Sequence, residues 1–221
     1  MHSAIATAAT SATSAATSAT APYRVCFVCT GNICRSPMAE SVFRARIEED
    51  GLDGLVEVDS AGTGGWHEGD GADPRTVAVL RAAGYEEDHS ARQFRADWFG
   101  SLDLVIALDD GHLRALRRLA PTAQDAAKVR LLRSYDPAMS CDSPGPRPAS
   151  HSPEAARSPE AAHSHDLDVP DPYYGGMAGF EECLEMVEAA SEGLLVAVRD
   201  ALAARGHVAG EAARDTAVAV P

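Results

Sequence analysis

The sequence predicts an α/β layer sandwich built around a parallel sheet, in a single domain. Apolar runs of strand length alternate with amphipathic stretches of helix length along most of the chain. One run, "LDLVIALD" at 102–109, is almost continuously apolar, as a parallel strand covered on both faces must be. The length of 221 residues suffices for one well-buried core and is short for two catalytic domains.

The elements follow in order. Residues 1–22 are nearly all Ala, Ser and Thr, with little bulk to bury, and are expected to form a disordered leader or to reflect a start-site artefact. "YRVCFVC" is a buried strand and "SPMAESVFRARIEED" a helix, with Ser36 placed to cap it, Pro37 at its first position, and Met38, Val42, Phe43 and Ile47 at helical spacing. "LVEVDSAG" is a second strand. "DPRTVAVLRAAG" is a helix capped by Asp73, opened by Pro74 and stopped by Gly84. After "LDLVIALD" comes a short helix around 112–120, and "KVRLL" supplies a fourth strand.

The segment 138–165 breaks this rhythm. It is dominated by Pro, Ser and Ala and is expected to be a disordered surface insertion within a domain spanning 23–206. Order resumes at "DLDVPDPYYGG". "GFEECLEMVEAASEGLLVAVRDALA" then forms a long helix whose Phe180, Leu184, Val187, Leu195, Val198 and Leu202 can face the sheet. Gly193 within it costs about 1 kcal/mol against Ala. Residues 207–221 turn small and polar and are expected to be a flexible tail.

Composition narrows the function. A net charge of −14 argues against a nucleic-acid surface or an anionic membrane as partner, so an anionic substrate must be held by local donors. No run approaches the roughly 18 apolar residues of a membrane helix, and the first residues lack the features of a signal peptide. A cytoplasmic location is expected, with export by an unusual route left open. Five cysteines, three of them crowded into the first strand and its turn, fit reduced thiols better than a disulfide scaffold.

Those cysteines lie in "VCFVCTGNICRSPMAE", where Cys29, Cys34 and Arg35 could bind a metal, form a redox pair or grip an anion. A zinc site needs four ligands, but strand alternation sends Cys26 and Cys29 to different faces and no second half-site follows. No metal or other cofactor is therefore expected. The histidines between 151 and 165 read as solubilising loop residues. The anion reading explains more residues. A turn between a strand end and a helix start presents successive N–H groups at the positive end of the helix. Arg35 adds a planar fork for two oxygens of a tetrahedral oxyanion, Gly31 permits the tight turn, and Asn32 tolerates a left-handed backbone. Amide dipoles and Arg35 favour the thiolate form of Cys29, and a thiolate at the centre of an anion cradle is an enzyme's device. "GTGGWHEGDG" lacks the lysine of a P-loop and the strand–glycine–helix order of a dinucleotide site.

"CTGNICRS" at 29–36, followed much later by "DPYYGG", resembles the signature of the low-molecular-weight protein tyrosine phosphatases, and the actinobacterial members in particular. The resemblance covers roughly 23–202 apart from the insertion. It implies a doubly wound three-layer sandwich around a four-stranded parallel sheet. It also implies hydrolysis of phosphotyrosine proteins or peptides through a phosphocysteine, with inorganic phosphate released. By the same resemblance Cys29 is the nucleophile, Arg35 binds phosphate and stabilises the transition state, and Asp171 is the general acid. Thr30, Gly31, Asn32, Ile33 and Cys34 complete the phosphate loop, Ile33 being the tyrosine-phosphatase version where arginine phosphatases tend to carry threonine. Ser36 supports the thiolate, and Trp66, Tyr173 and Tyr174 line the slot for the phosphotyrosine ring. A monomer or weak dimer is expected.

One departure stands out. Asp109 falls where the family usually shows M-D-x-x-N, but Leu108 and His112 replace the methionine and the asparagine, which puts the support of the loop in doubt. Asp109 either ties down the cradle or merely caps a strand end. Cys34 is either a reversible disulfide partner of Cys29 under oxidation or a small residue packed beneath the loop. A thiol-coupled arsenate reductase shares the loop but needs a closely spaced cysteine pair downstream, whereas Cys141 and Cys183 stand apart. An inactive phosphotyrosine-binding module remains the other alternative.

Overall fold

Alternation along the first strand decides the architecture. In β1 (Tyr23–Cys29) the residues Val25 to Cys29 are all buried. Val25, Phe27 and Cys29 enter one apolar cluster, while Cys26 and Val28 enter another. A strand buried on both faces needs a layer on each side, and the computed structural model supplies both. It describes residues 21–139 and 167–218, without the side chains of 207–218. The leader 1–20 and the stretch 140–166, which holds most of the expected insertion and Cys141, lie outside the described residues.

The sheet has four parallel strands in the order β2-β1-β3-β4, with β2 at Val56–Gly62, β3 at Leu104–Ala107 and β4 at Val129–Leu131. Cys29 pairs with Gly62 and Val28 with Ala107, so the carboxyl ends of the two central strands and β2 open onto one edge. One face carries α1 (Arg35–Glu49), α2 (Pro74–Ala82) and the final helix, through Met38, Phe43, Leu80, Phe180 and Leu194. The other face carries α3 (Asp110–Leu119) and the short turn Ala96–Gly100, through Phe99, Leu113 and Leu116. A further short helix, α4 (Ala123–Ala127), leads into β4. The result is a doubly wound three-layer sandwich. Each fully buried Phe or Leu in these layers contributes about 1.5–3 kcal/mol of transfer free energy, and Phe27 meets Phe43 edge to face at 5.7 Å between centroids.

Asp73 caps α2 as expected, its side chain accepting from Arg75 N at 2.8 Å with Pro74 following. Ser36 does not cap α1. The helix begins at Arg35 after Cys34, which makes no side-chain cap bond, and Ser36 is fully buried inside the first turn. Its hydroxyl is taken by the loop between β1 and α1, described below, and so has no role in closing the helix end.

The final helix, α5 (Met177–Val218), runs unbroken through Gly193 and stays helical across 207–218, where the sequence expects a tail. Gly193 is explained by closeness: a Cβ there would lie 2.0 Å from the carbonyl oxygen of Tyr135, in the 3-10 turn Leu132–Tyr135.

Candidate active site

The loop joining β1 to α1 has its carbonyl oxygens tied outward. Cys29 O accepts from Thr63 N at 2.8 Å and Thr30 O from Gly64 N at 3.0 Å. Asn32 O lies 2.6 Å from His89 Nε2, and Ile33 O accepts from Asp73 N at 2.7 Å. In a trans peptide the next N–H points the opposite way, and there are no cis peptides among the described residues. The N–H groups of Thr30, Gly31, Ile33 and Cys34 are thereby turned from those partners toward the pocket, at a helix start whose first-turn amides have no helical acceptor. Gly62 makes this closeness possible, because a Cβ there would sit 2.8 Å from both Thr30 O and Gly64 O.

Asn32 takes the left-handed conformation, with φ of 58°, at a cost of order 1–3 kcal/mol for a residue other than glycine. Its fully buried side chain offsets that cost. Nδ2 donates to Ser36 Oγ and Ser60 Oγ, each at 2.9 Å, and Oδ1 accepts from Arg92 N at 2.9 Å. Behind it, Ser60 Oγ donates to Glu40 Oε2 at 2.6 Å, and His89 Nδ1 stands 3.7 Å from the same oxygen. Burial raises the Glu40 carboxyl, but hydrogen bonds from His89 and Ser60 and the charge of Arg44 outweigh it, leaving the pKa below its ordinary value.

Cys29 Sγ lies 3.0 Å from Ser36 Oγ. Above it sits Arg35, whose Nη1 donates to Asp109 Oδ2 at 2.8 Å and Val169 O at 3.1 Å, and whose Nη2 donates to Asp171 Oδ2 at 2.8 Å. Arg35 Nε is buried with no acceptor among the described residues, the position of a donor that an oxyanion would satisfy. Asp109 caps α3, accepting from His112 N at 2.8 Å, a role the sequence did not suggest, and its Oδ2 also accepts from Arg35. Burial raises its carboxyl, but His112 and Arg35 together bring it well below the usual carboxylate range.

The pocket over the loop measures about 330 Å³. Cys29, Thr30, Gly31, Ile33, Cys34 and Arg35 line its base, and Trp66, His67, Asp171, Tyr173 and Tyr174 its walls. Trp66 and Tyr174 are 76% and 93% exposed and stand at the rim, the Trp66 ring lying against Gly64 and the Tyr174 ring meeting that of Tyr173 edge to face at 5.0 Å. Arg75 donates to Gly175 O at 3.0 Å and stacks over Tyr173 and Phe180, bracing the segment that carries Asp171. Asn32, Ser36 and Asp109 do not line the pocket; they act from behind it.

The remaining thiols are placed otherwise. Cys26 faces the opposite side of the sheet, and burial pushes its thiol up to about 12. Burial, then the negative charges of Asp73, Cys29 and Asp171, push Cys34 up to about 12, and burial does the same for Cys183. Among the described residues no three His, Cys, Asp or Glu side chains gather where they could hold a metal ion, and no helix is long and apolar enough to cross a membrane. Sequence reasoning missed Glu40, Ser60, His89 and Arg92, which stand far apart in the chain without a shared motif.

The sequence matches the family described as low molecular weight phosphotyrosine protein phosphatase over residues 24–155 and 157–204. The chain belongs to that family. It is 67% identical over 183 residues to a low molecular weight protein-tyrosine-phosphatase of Streptomyces coelicolor, covering 83% of this chain and 98% of that relative. It is 44% identical over 185 residues to low molecular weight protein-tyrosine phosphatase A of Mycobacterium tuberculosis, covering 84% and 97%. The crystal structure of a protein tyrosine phosphatase from Entamoeba histolytica superposes with a TM-score of 0.66 at 30% identity, covering 81% of this chain and 98% of that one. For a low-molecular-weight phosphatase the walls and base described above make a coherent site, in which His112 occupies the place of the expected asparagine and is bonded into the loop.

Proposed function

We propose that this phosphatase hydrolyses phosphotyrosine with Cys29 as nucleophile, Arg35 as the phosphate-binding group and Asp171 as general acid and base. The observation that carries the reading is the convergence of Cys29, Arg35 and Asp171, drawn from a strand end, a helix start and a distant loop, on one aromatic-walled pocket. The Cys29 thiolate, supported by the Ser36 hydroxyl, attacks phosphorus. The bond to the phenolic oxygen breaks as Asp171 delivers a proton to it, and the S–P bond of a phosphocysteine forms. Water then attacks phosphorus while Asp171 takes its proton, the S–P bond breaks, and phosphate leaves. Arg35 and the loop amides face the equatorial oxygens, whose charge persists through both transition states.

Trp66, Tyr173 and Tyr174 account for a preference for a flat aryl phosphate over a short alkyl one. A phosphotyrosine protein or peptide is accordingly the substrate, acted on by a monomer or weak dimer in the cytoplasm. The domain takes in 23–206. Hydrolysis of p-nitrophenyl phosphate and of a phosphotyrosine peptide by wild type, Cys29→Ser and Asp171→Ala tests the assignment. Wild type should turn over both and Cys29→Ser neither. A fully active Cys29→Ser, or an inactive wild type, would reject it.

A further inference from the structure

We infer that His112 is a positioning residue that acts through Thr30 and Asp109 to hold Arg35 ready in the pocket. This rests on the reading of Arg35 as the phosphate-binding group. The four side chains close a ring. Arg35 donates from Nη1 to Asp109 Oδ2 at 2.8 Å and from Nη2 to Thr30 Oγ1 at 3.4 Å. His112 joins the other ends: Nε2 lies 2.9 Å from Thr30 Oγ1, and Nδ1 lies 2.9 Å from Asp109 Oδ1, close enough for electrostatic contact though not aligned as a hydrogen bond. At 5% exposure the imidazole is fixed by the packing of α3 and not by solvent.

The chemistry of the ring sets its direction. A threonine hydroxyl has one proton and two lone pairs, and a neutral imidazole has one donor and one acceptor nitrogen. The Asp109 carboxylate favours the ring proton on Nδ1, which leaves Nε2 to accept from Thr30. Thr30 then spends its proton on His112 and presents lone pairs to Arg35 Nη2. Without the imidazole the hydroxyl rotor is released, and Asp109 loses a partner on the carboxylate that holds Nη1. Arg35 would keep Val169 O and Asp171, whose side chain is 42% exposed, with Asp109 less firmly placed. A guanidinium oriented before the substrate arrives needs no reorganisation when charge develops on the phosphoryl oxygens. The residue that departs from the family pattern thus ties the loop's support together.

The test is a double-mutant cycle on the full chain with His112→Phe, which keeps ring volume and removes both nitrogens, and Thr30→Val, which keeps shape and removes the hydroxyl. Binding of inorganic phosphate is measured by calorimetry, alongside kcat, KM and Tm with p-nitrophenyl phosphate. Each single substitution should weaken phosphate binding and lower kcat/KM by about tenfold, with Tm unchanged. The double variant should be no worse than the worse single, because the two residues lie on one line of contact. Should His112→Phe fail to fold, His112→Leu, which also lacks both nitrogens, takes its place in the cycle with the same expectation. Wild-type phosphate affinity in the His112 variant, losses that add in the double variant, or a loss that only accompanies a fallen Tm would each overturn the inference. Phosphate binding needs no turnover, so a protein that binds phosphate without hydrolysing esters would reject the proposed mechanism and still test this one.

Discussion

Arg35 Nη2 donates to Asp171 Oδ2 at 2.8 Å, so the proposed phosphate-binding group is held by the proposed general acid. Phosphate oxygens and the Asp171 carboxylate compete for one guanidinium edge, and an arriving anion must separate the pair. On the proposed mechanism Asp171 acts both as general acid and as a brake on binding.

Asp171→Asn should therefore bind inorganic phosphate more tightly, by up to about tenfold, as a like charge is removed and the competing acceptor is weakened to a neutral amide oxygen. Turnover of a phosphotyrosine peptide should fall by about 10²–10⁴. The loss should be smaller with p-nitrophenyl phosphate, whose leaving group needs little proton help. Calorimetry and steady-state kinetics on the same preparation check both halves. Weaker phosphate binding in the variant would contradict the competition.

Asn32→Ala should lose activity and stability together. It removes the bonds to Ser36, Ser60 and Arg92 N, leaving their groups buried and short of a partner at about 1–3 kcal/mol each. Asn32→Gly relieves the backbone at φ of 58° but not the lost bonds. Its Tm should lie between those of wild type and Asn32→Ala, with kcat still depressed. A glycine variant with full activity would show that conformation alone is required.

Gly193→Ala separates local propensity from packing. In an isolated helix the change is favourable by about 1 kcal/mol. Here the new Cβ would meet Tyr135 O at 2.0 Å, and a backbone carbonyl cannot step aside as a side-chain tip can. Overpacking of this kind costs about 1–3 kcal/mol, so thermal unfolding should show a lower Tm. A raised Tm would mean that α5 and the 3-10 turn slide apart freely.

Glu40 predicts an acid limb. Its folded pKa lies below the unfolded one, so its ionised form stabilises the fold above the ordinary glutamate value of about 4.3, and this contribution is lost as the pH falls through the folded value. Glu40→Gln should be less stable than wild type at pH 7 by about 1–3 kcal/mol. It should also lose less on acidification from pH 5 to pH 3, roughly the range in which a glutamate of this kind titrates. Urea unfolding at three pH values checks the slope; parallel losses in the two proteins would assign the acid limb to other groups.

Local chemistry made much of this legible. The alternation that separates Cys26 from Cys29, the cap at Asp73, the four strands and the loop 29–35 all depend on neighbours in sequence, where the strand period, capping and turn preferences act directly. Ser36 shows the limit. A serine directly before a proline-led helical stretch reads as a cap, but its hydroxyl is claimed by Cys29 and by Asn32 Nδ2, a contact set by the fold of the loop. His112 read as a departure that loosened the loop, because its link to Thr30 spans 82 residues.

By itself the sequence determined the layered fold, the anion cradle and the chemistry its thiol and arginine can perform, because period, turn and charge are carried within a few residues. Only the tertiary structure decided which distant groups tune that cradle. The Glu40, Ser60 and His89 chain behind Asn32, the ring through His112 and the grip of Asp171 on Arg35 are short-range polar contacts between residues distant in the chain, and packing of the layers is what brings their ends within reach.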